Sequence, residues 1–172
     1  MPRNVEIKAR LADLAATRGR VERIADGPGQ VVEQSDTFFT VAGGRLKLRE
    51  RSGAAAELIY YRRPDAEGPK ESEYQTCDVP DGGRLQELLA AALGVAGRVL
   101  KRRTIYRVGR TRVHLDEVRG LGSFLELEVE LAAGEPAEAG VREANRLMAA
   151  LGIGQEALVA GAYVDLLGTH GG

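Results

Sequence analysis

The sequence predicts an α+β fold of about eight strands and four helices, and three observations predict it. Strict two-residue alternation of apolar and charged side chains recurs along the chain, as in NVEIKARL at 4–11 and SFLELEVEL at 123–131. Runs of helical spacing stand between or after these strands, as in ADLAATRGRVERIAD at 12–26 and AEAGVREANRLMAAL at 137–151. Glycine and proline breakers separate them, among them Gly27-Pro28-Gly29 and the Gly43-Gly44 turn.

The first strand, 4–11, sets Val5, Ile7, Ala9 and Leu11 on one face and Asn4, Glu6, Lys8 and Arg10 on the other. A helix over about 12–26 carries Leu14, Val21 and Ile24 and stops at the Gly-Pro-Gly breaker. Short strands follow near 36–41, 45–50, 57–63 and 71–79, then a helix over about 83–93 that ends at Gly94. Three more strands lie near 98–106, 111–118 and 123–131, and helices over 137–151 and about 154–167 close the chain. No fixed-period repeat or linker interrupts this order, so residues 1–172 read as a single domain.

Composition narrows the function. Hydrophobic residues at 44% and charged residues at 28% are those of a globular chain rather than a disordered one. The 24 Lys+Arg and 25 Asp+Glu nearly cancel, which argues against a nucleic-acid partner and leaves any electrostatic function to local arrangement. Cys77 is the single cysteine, so an internal disulfide and a cysteine-based zinc site are excluded. The polar start and the lack of a long apolar run predict no membrane span and no signal peptide, hence a cytoplasmic protein. Edge strands and the final helix could pair protomers as a homodimer, although no apolar patch demands it.

Strand parity carries the functional signal. Arg45, Lys47 and Arg49 share one face; Lys101 and Arg103 fall together; Arg112, His114 and Asp116 oppose Val113 and Leu115; Glu126, Glu128 and Glu130 oppose Leu125, Leu127, Val129 and Leu131. Two structures fit. One is a sheet with its aliphatic face on helices and its charged face in water. The other is a barrel with helices outside and a charged channel inside. Runs of like charge repel as they close, and a ligand of opposite sign relieves them. A cationic wall facing an acidic one suits a polyanion carrying a divalent metal held by hard carboxylate oxygens, such as ATP with magnesium.

An ordered set of segments resembles the CYTH proteins, the triphosphate tunnel metalloenzymes, and within them the bacterial class IV adenylyl cyclase-like branch. The segments are the E-x-K strand at Glu6 and Lys8, D-T-F-F from Asp36 to Phe39, L-K-L-R at 46–49, V-x-K-R-R-x-x-Y from Val99 to Tyr106, and HLDEVRGLGSFLELEV from His114 to Val129. The resemblance spans about 4–167. It implies a closed eight-stranded antiparallel β-barrel, open at both ends, that binds a triphosphate on lysines and arginines with Mg²⁺ or Mn²⁺ on glutamates.

Carried over residue by residue, the resemblance makes Glu6, Glu126 and Glu128 metal ligands. It makes Lys8, Lys47, Arg49, Arg62, Lys101, Arg103 and Arg112 triphosphate contacts, with Lys8, Arg62 and Asp116 in catalytic roles. The family's E-x-E-x-K strand reads Asn4-Val5-Glu6-Ile7-Lys8, so a neutral asparagine replaces the first glutamate and a second metal is in question. Lys47 stands for an arginine, a point charge in place of a bidentate fork. In Tyr61-Arg62-Arg63-Pro64, Arg62 is assigned to the tunnel lysine's place. Glu130 reads as a rim residue. His114 reads as a hydrogen-bonded filler rather than a ligand, while Tyr60, Tyr61, Tyr106 and Tyr163 read as packing and His170 as tail.

Two reactions suit such a cradle. A ribose hydroxyl can attack the α-phosphorus of ATP, giving cyclic AMP and pyrophosphate, or water can hydrolyse an inorganic, nucleoside or thiamine triphosphate. The resemblance to the cyclase branch favours the first. Besides the triphosphatase, the remaining readings are a non-catalytic binder of triphosphate or polyphosphate and, should the sheet stay open, a protein-interaction module.

Overall fold

The computed structural model describes residues 1–169, and its strands are β1 (Arg3–Arg10), β2 (Gln30–Phe39), β3 (Arg45–Arg51), β4 (Ala56–Arg62), β5 (Lys70–Val79), β6 (Val95–Val108), β7 (Thr111–Val118) and β8 (Gly122–Glu130). They close into one antiparallel barrel in the ring order β1-β5-β4-β3-β2-β6-β7-β8. Of the two arrangements that the alternation allows, the chain adopts the barrel. The helices are α1 (Leu14–Ile24), α2 (Gly82–Leu93), α3 (Ala137–Leu151) and α4 (Tyr163–Thr169). His170 lies outside the described residues.

Strand parity decides what faces where. Val5, Ile7 and Ala9 of β1, Val113 and Leu115 of β7, and Leu125, Leu127 and Val129 of β8 point outward, where Ala144, Leu147, Met148 and Leu151 of α3 and Val21 of α1 cover them. The main hydrophobic core therefore lies between barrel and helices, and the barrel interior is left for charge. The Asp13 carboxylate caps α1 by accepting from the Ala16 N–H at 2.9 Å. Gly140 on α3 lets that helix approach the wall, since a Cβ there would meet Val5 Cγ2 at 2.7 Å. Leu147→Ala, fully buried on the α3 side of this layer, should cost about 2–5 kcal/mol in urea denaturation. Turnover well below the melting temperature should be unchanged.

Two elements differ from the sequence expectation. β2 begins at Gln30, six residues before the apolar alternation starts, because it pairs with the long β6 from Gln30↔Ile105 onward. That first half is largely exposed, so backbone pairing rather than burial makes it a strand. The helix expected over 154–167 is broken. A single 3-10 turn at Gln155–Ala157 is followed by a bridge between Leu158 and Ala9, and the Val159 N–H donates to the Lys8 carbonyl at 2.9 Å. Gly161 then takes a left-handed φ of +81° before α4 starts. This backbone pairing brings Gly161 and Tyr163 onto the charged interior.

Candidate active site

The barrel encloses a cavity of about 580 Å³. Glu6, Lys8, Lys47, Arg49, Lys101, Arg103, Arg112, Glu126 and Glu128 all line it, so nine of the eleven expected site residues meet in one place. Eight lysines and arginines line the cavity against five carboxylates, an excess of positive charge in a chain whose net charge is −1. An excess of that sign suits an anionic ligand.

Within the cavity the charges form three groups. On β2 and β3, Arg49 holds Asp36 through a fork, Nε at 2.8 Å and Nη2 at 2.7 Å, and Lys47 Nζ lies 3.3 Å from the same carboxylate. Burial would raise the Asp36 pKa, but Arg49, Lys47 and Lys101 hold it well below the usual carboxylate range. On β6 and β7, Arg103 forks Asp116 at 2.7 and 2.6 Å, and its Nη2 also donates to Glu126 at 2.8 Å. On β7 and β8, Arg112 donates to Glu128 Oε2 at 3.0 and 2.8 Å. These forks fix the guanidinium planes while leaving other N–H donors for a ligand.

Two expected residues stand elsewhere. Arg62 is exposed on the outer face of β4, where its Nε donates to the Tyr60 hydroxyl at 2.8 Å. Glu57, Ile59 and Tyr61 face inward, so parity sends residue 62 out and residue 63 in. Arg63 takes the inner position: Nη1 pairs with Glu6 Oε2 at 2.6 Å and Nη2 donates to the Gly161 carbonyl at 3.1 Å. Asp116 is wholly buried behind Arg103, and the Tyr163 hydroxyl donates to it at 2.8 Å. It is engaged on both oxygens and aligns Arg103.

The carboxylates divide as well. Glu126 and Glu128 come together, and with His114 they place three ligand atoms within 4.8 Å of one another. Glu6 is drawn to Arg63 instead. Burial opposes ionisation of Glu126, yet Arg103 and Lys8 keep it well below its ordinary pKa; burial opposes that of Glu128 too, yet positive charge beside it, Arg112 included, pulls it to about 2. Both are ionised, Glu126 engaged by Arg103 and Glu128 by Arg112. Asn4 also points inward, with Oδ1 buried and without a hydrogen-bond partner. Glu130 sits at the strand end, paired with Arg107 at 3.2 Å and Arg112 at 3.1 Å, in keeping with a rim position. The donor set, ionised carboxylates with orphaned buried donor atoms beside them, fits a divalent metal.

Sequence reasoning did not single out Arg63, Asp36 or Tyr163 as site residues. Parity on β4 could have found Arg63, and parity on β2 could have found Asp36. Tyr163 had no local signal, because the interruption of the expected helix before α4 places it. Its ring lies 3.9 Å from Lys8 Nζ, and Lys8 Nζ donates to the Gly161 carbonyl at 3.0 Å. Tyr60 and Tyr106 face outward, the latter buried in the outer core with its hydroxyl donating to Glu22 at 2.9 Å.

Crowding shows in the lysines. Burial first and Arg103 second depress Lys101 to about 7, while burial and Arg49 depress Lys47 to about 8. A bound polyanion stabilises the charged forms and returns both pKa values upward. Binding near pH 8 should therefore take up protons, and affinity should fall as pH rises through 7–8. Calorimetry of metal-free inorganic triphosphate binding in two buffers of different ionisation enthalpy checks this. Binding with no proton uptake would mean that these lysines do not meet the anion.

The CYTH domain family matches residues 2–163. The chain belongs to the CYTH family. A search of curated proteins finds no match. Among solved structures, this CYTH chain is similar to the PH1012 protein of Pyrococcus horikoshii OT3, with a TM-score of 0.85 at 23% identity, covering 95% of this chain and 99% of that one. A Vibrio parahaemolyticus protein described as a candidate adenylate cyclase superposes with a TM-score of 0.76 at 23% identity, covering 96% and 97% of the two chains. A candidate adenylyl cyclase from Hippeastrum, described as revealing a dominant triphosphatase activity, gives 0.69 at 18% identity, covering 97% and 96%. At these identities the likeness is one of fold, and the CYTH assignment rests on the family match. No helix among the described residues is long and apolar enough to cross a membrane.

Proposed function

We propose that this CYTH protein is a metal-dependent enzyme that cleaves a triphosphate held inside the barrel. The observation that carries the reading is a single cavity in which Lys8, Lys47, Arg49, Arg63, Lys101, Arg103 and Arg112 surround a pair of ionised glutamates, Glu126 and Glu128. Glu126 and Glu128 would hold a divalent cation, Mg²⁺ or Mn²⁺, which would supply neutralisation of charge on the phosphoryl oxygens. The chain's own residues do the rest. Arg49 and Arg103, their planes set by Asp36 and Asp116, present fixed donors to phosphate oxygens and stabilise charge that develops during transfer. Lys47 and Lys101 add point charges between them. Lys8 and Arg63, tied through Gly161 to the segment before α4, set the phosphate position at that side of the cavity.

Hydrolysis of the triphosphate is the reading this geometry favours. Three aromatic rings on the cavity wall are covered by cations: Phe38 by Lys47 at 5.5 Å, Tyr61 by Lys47 at 5.4 Å and Tyr163 by Lys8 at 3.9 Å. The interior thus presents charge where a base would need an open ring. Cyclisation of ATP to cyclic AMP and pyrophosphate is the second reading. It is favoured by Tyr74, whose ring carries no such cation among the described contacts, and which lines the cavity with Pro2 and Ile105 as a surface for a nucleobase. The description of the Vibrio protein points the same way.

Purified protein incubated with inorganic triphosphate, and separately with ATP, in Mg²⁺ or Mn²⁺ tests this directly. Phosphate released from inorganic triphosphate is the expected result. Cyclic AMP with pyrophosphate from ATP would establish the second reading. No turnover, with triphosphate still raising Tm, would overturn the enzymatic reading in favour of a binding tunnel.

A further inference from the structure

His114 sits in the middle of β7 between Val113 and Leu115, which face the outer core, so its imidazole points into the cavity. It is only 3% exposed, and its Nδ1 has no hydrogen-bond partner. A filler histidine would have one, because an unpaired buried nitrogen carries its full desolvation cost. What faces Nδ1 is a pair of carboxylate oxygens, Glu126 Oε2 at 3.7 Å and Glu128 Oε1 at 3.9 Å. Those distances are too long for hydrogen bonds. They are close to the spacing of atoms that share one ion, about 3–4 Å for ligands about 2.1 Å from its centre.

The neighbouring contacts leave Glu128 Oε1 available, while Glu126 Oε2 is shared with Arg103 Nη2 at 2.8 Å. Arg112 binds Glu128 through Oε2, leaving Oε1 turned toward the imidazole. Across the seam, β1 brings Asn4, which is neutral, and Glu6, which Arg63 holds. Neither belongs to the group whose ligand atoms lie within 4.8 Å of one another, so the third donor beside the two glutamates comes from β7.

We propose that His114 is a ligand of the divalent cation, binding through Nδ1 beside Glu126 and Glu128, and that this nitrogen biases the tunnel toward Mn²⁺ over Mg²⁺. The proposal rests on the metal-dependent reading above and assigns the imidazole a role within it. Mg²⁺ takes oxygen ligands in a tight octahedron and keeps its waters, whereas first-row transition ions gain from imidazole nitrogen.

The test uses the full chain carrying His170→Gln, which leaves His114 as the sole imidazole. The probe is Mn²⁺ with inorganic triphosphate, a ligand without nitrogen, rapidly frozen and read by electron spin-echo envelope modulation. Expected is a directly coordinated ¹⁴N coupling that disappears on adding His114→Gln. In parallel, Mn²⁺ affinity should fall about 10- to 100-fold with that change, and Mg²⁺ affinity much less. Bound Mn²⁺ that depends on Glu126 and Glu128 but shows no nitrogen coupling would overturn the histidine ligand while leaving the metal site standing. Protein that takes up no Mn²⁺ would overturn both. The spectrum of the His114-bearing protein decides the question even if the glutamine variant folds poorly.

Discussion

Glu126→Gln should lower metal-dependent triphosphate turnover about 10²- to 10³-fold, the scale of losing one transition-state electrostatic contact, while strengthening metal-free triphosphate binding a few-fold. The opposed signs separate a ligand from a counter-ion. As a ligand, the carboxylate is needed wherever the cation works. As a counter-ion, it competes with the substrate for Arg103 at 2.8 Å and Lys8 at 3.6 Å, so its removal frees those cations. Glutamine keeps the shape, and Arg103 keeps its fork on Asp116, so the fold has a partner left for the buried charge.

A fall in Tm is expected with the same variant. Arg103 and Lys8 hold the Glu126 pKa well below its unfolded value against burial, so the ionised group stabilises the fold above the ordinary glutamate pKa. That contribution is lost as pH falls through the depressed folded value. Near neutral pH the variant should melt lower than the parent, and the gap should close in acid. Turnover that survives both Glu126→Gln and Glu128→Gln would remove the metal site from this pair.

The barrel's wall was readable because period-two alternation ties side-chain identity to a face without reference to any partner. Val5 against Glu6, or Leu127 against Glu128, states which side is buried in helices and which in the cavity. Alternation alone left open whether the charged side met water or itself. The resemblance chose closure, and the ring of pairings bears it out. On β4, likeness to the family's lysine assigns Arg62, whereas the parity of Ile59 and Tyr61 on the same strand points to residue 63. Tyr163 and Gly161 were not readable, because their position depends on the Val159–Lys8 backbone pairing, which has no periodic trace in the sequence. His114 was visible on the inward face, but its lack of a hydrogen-bond partner is a three-dimensional fact.

The Arg62–Arg63 pair yields the sharpest contrast available from adjacent residues of one chemical type. Arg63→Ala should reduce kcat/KM about 10²- to 10³-fold, the range for truncating one member of a buried, hydrogen-bonded charge pair. Arg62→Ala should leave it within about twofold, as for a surface substitution. The Arg63 side chain is 6% exposed and joins three parts of the site: Glu6 on β1, the Gly161 carbonyl before α4, and the Tyr61 ring at 5.6 Å. Removing it leaves the Glu6 carboxylate without its 2.6 Å partner and takes one cation from the polyanion. Arg63→Lys restores the charge without the fork, so it should recover binding more than turnover. Equal losses from both alanine variants would mean that residue 62 reaches the substrate and that the inward parity of β4 does not extend past Tyr61. Steady-state kinetics on the three variants, with Tm measured alongside, settles which arginine serves the cavity.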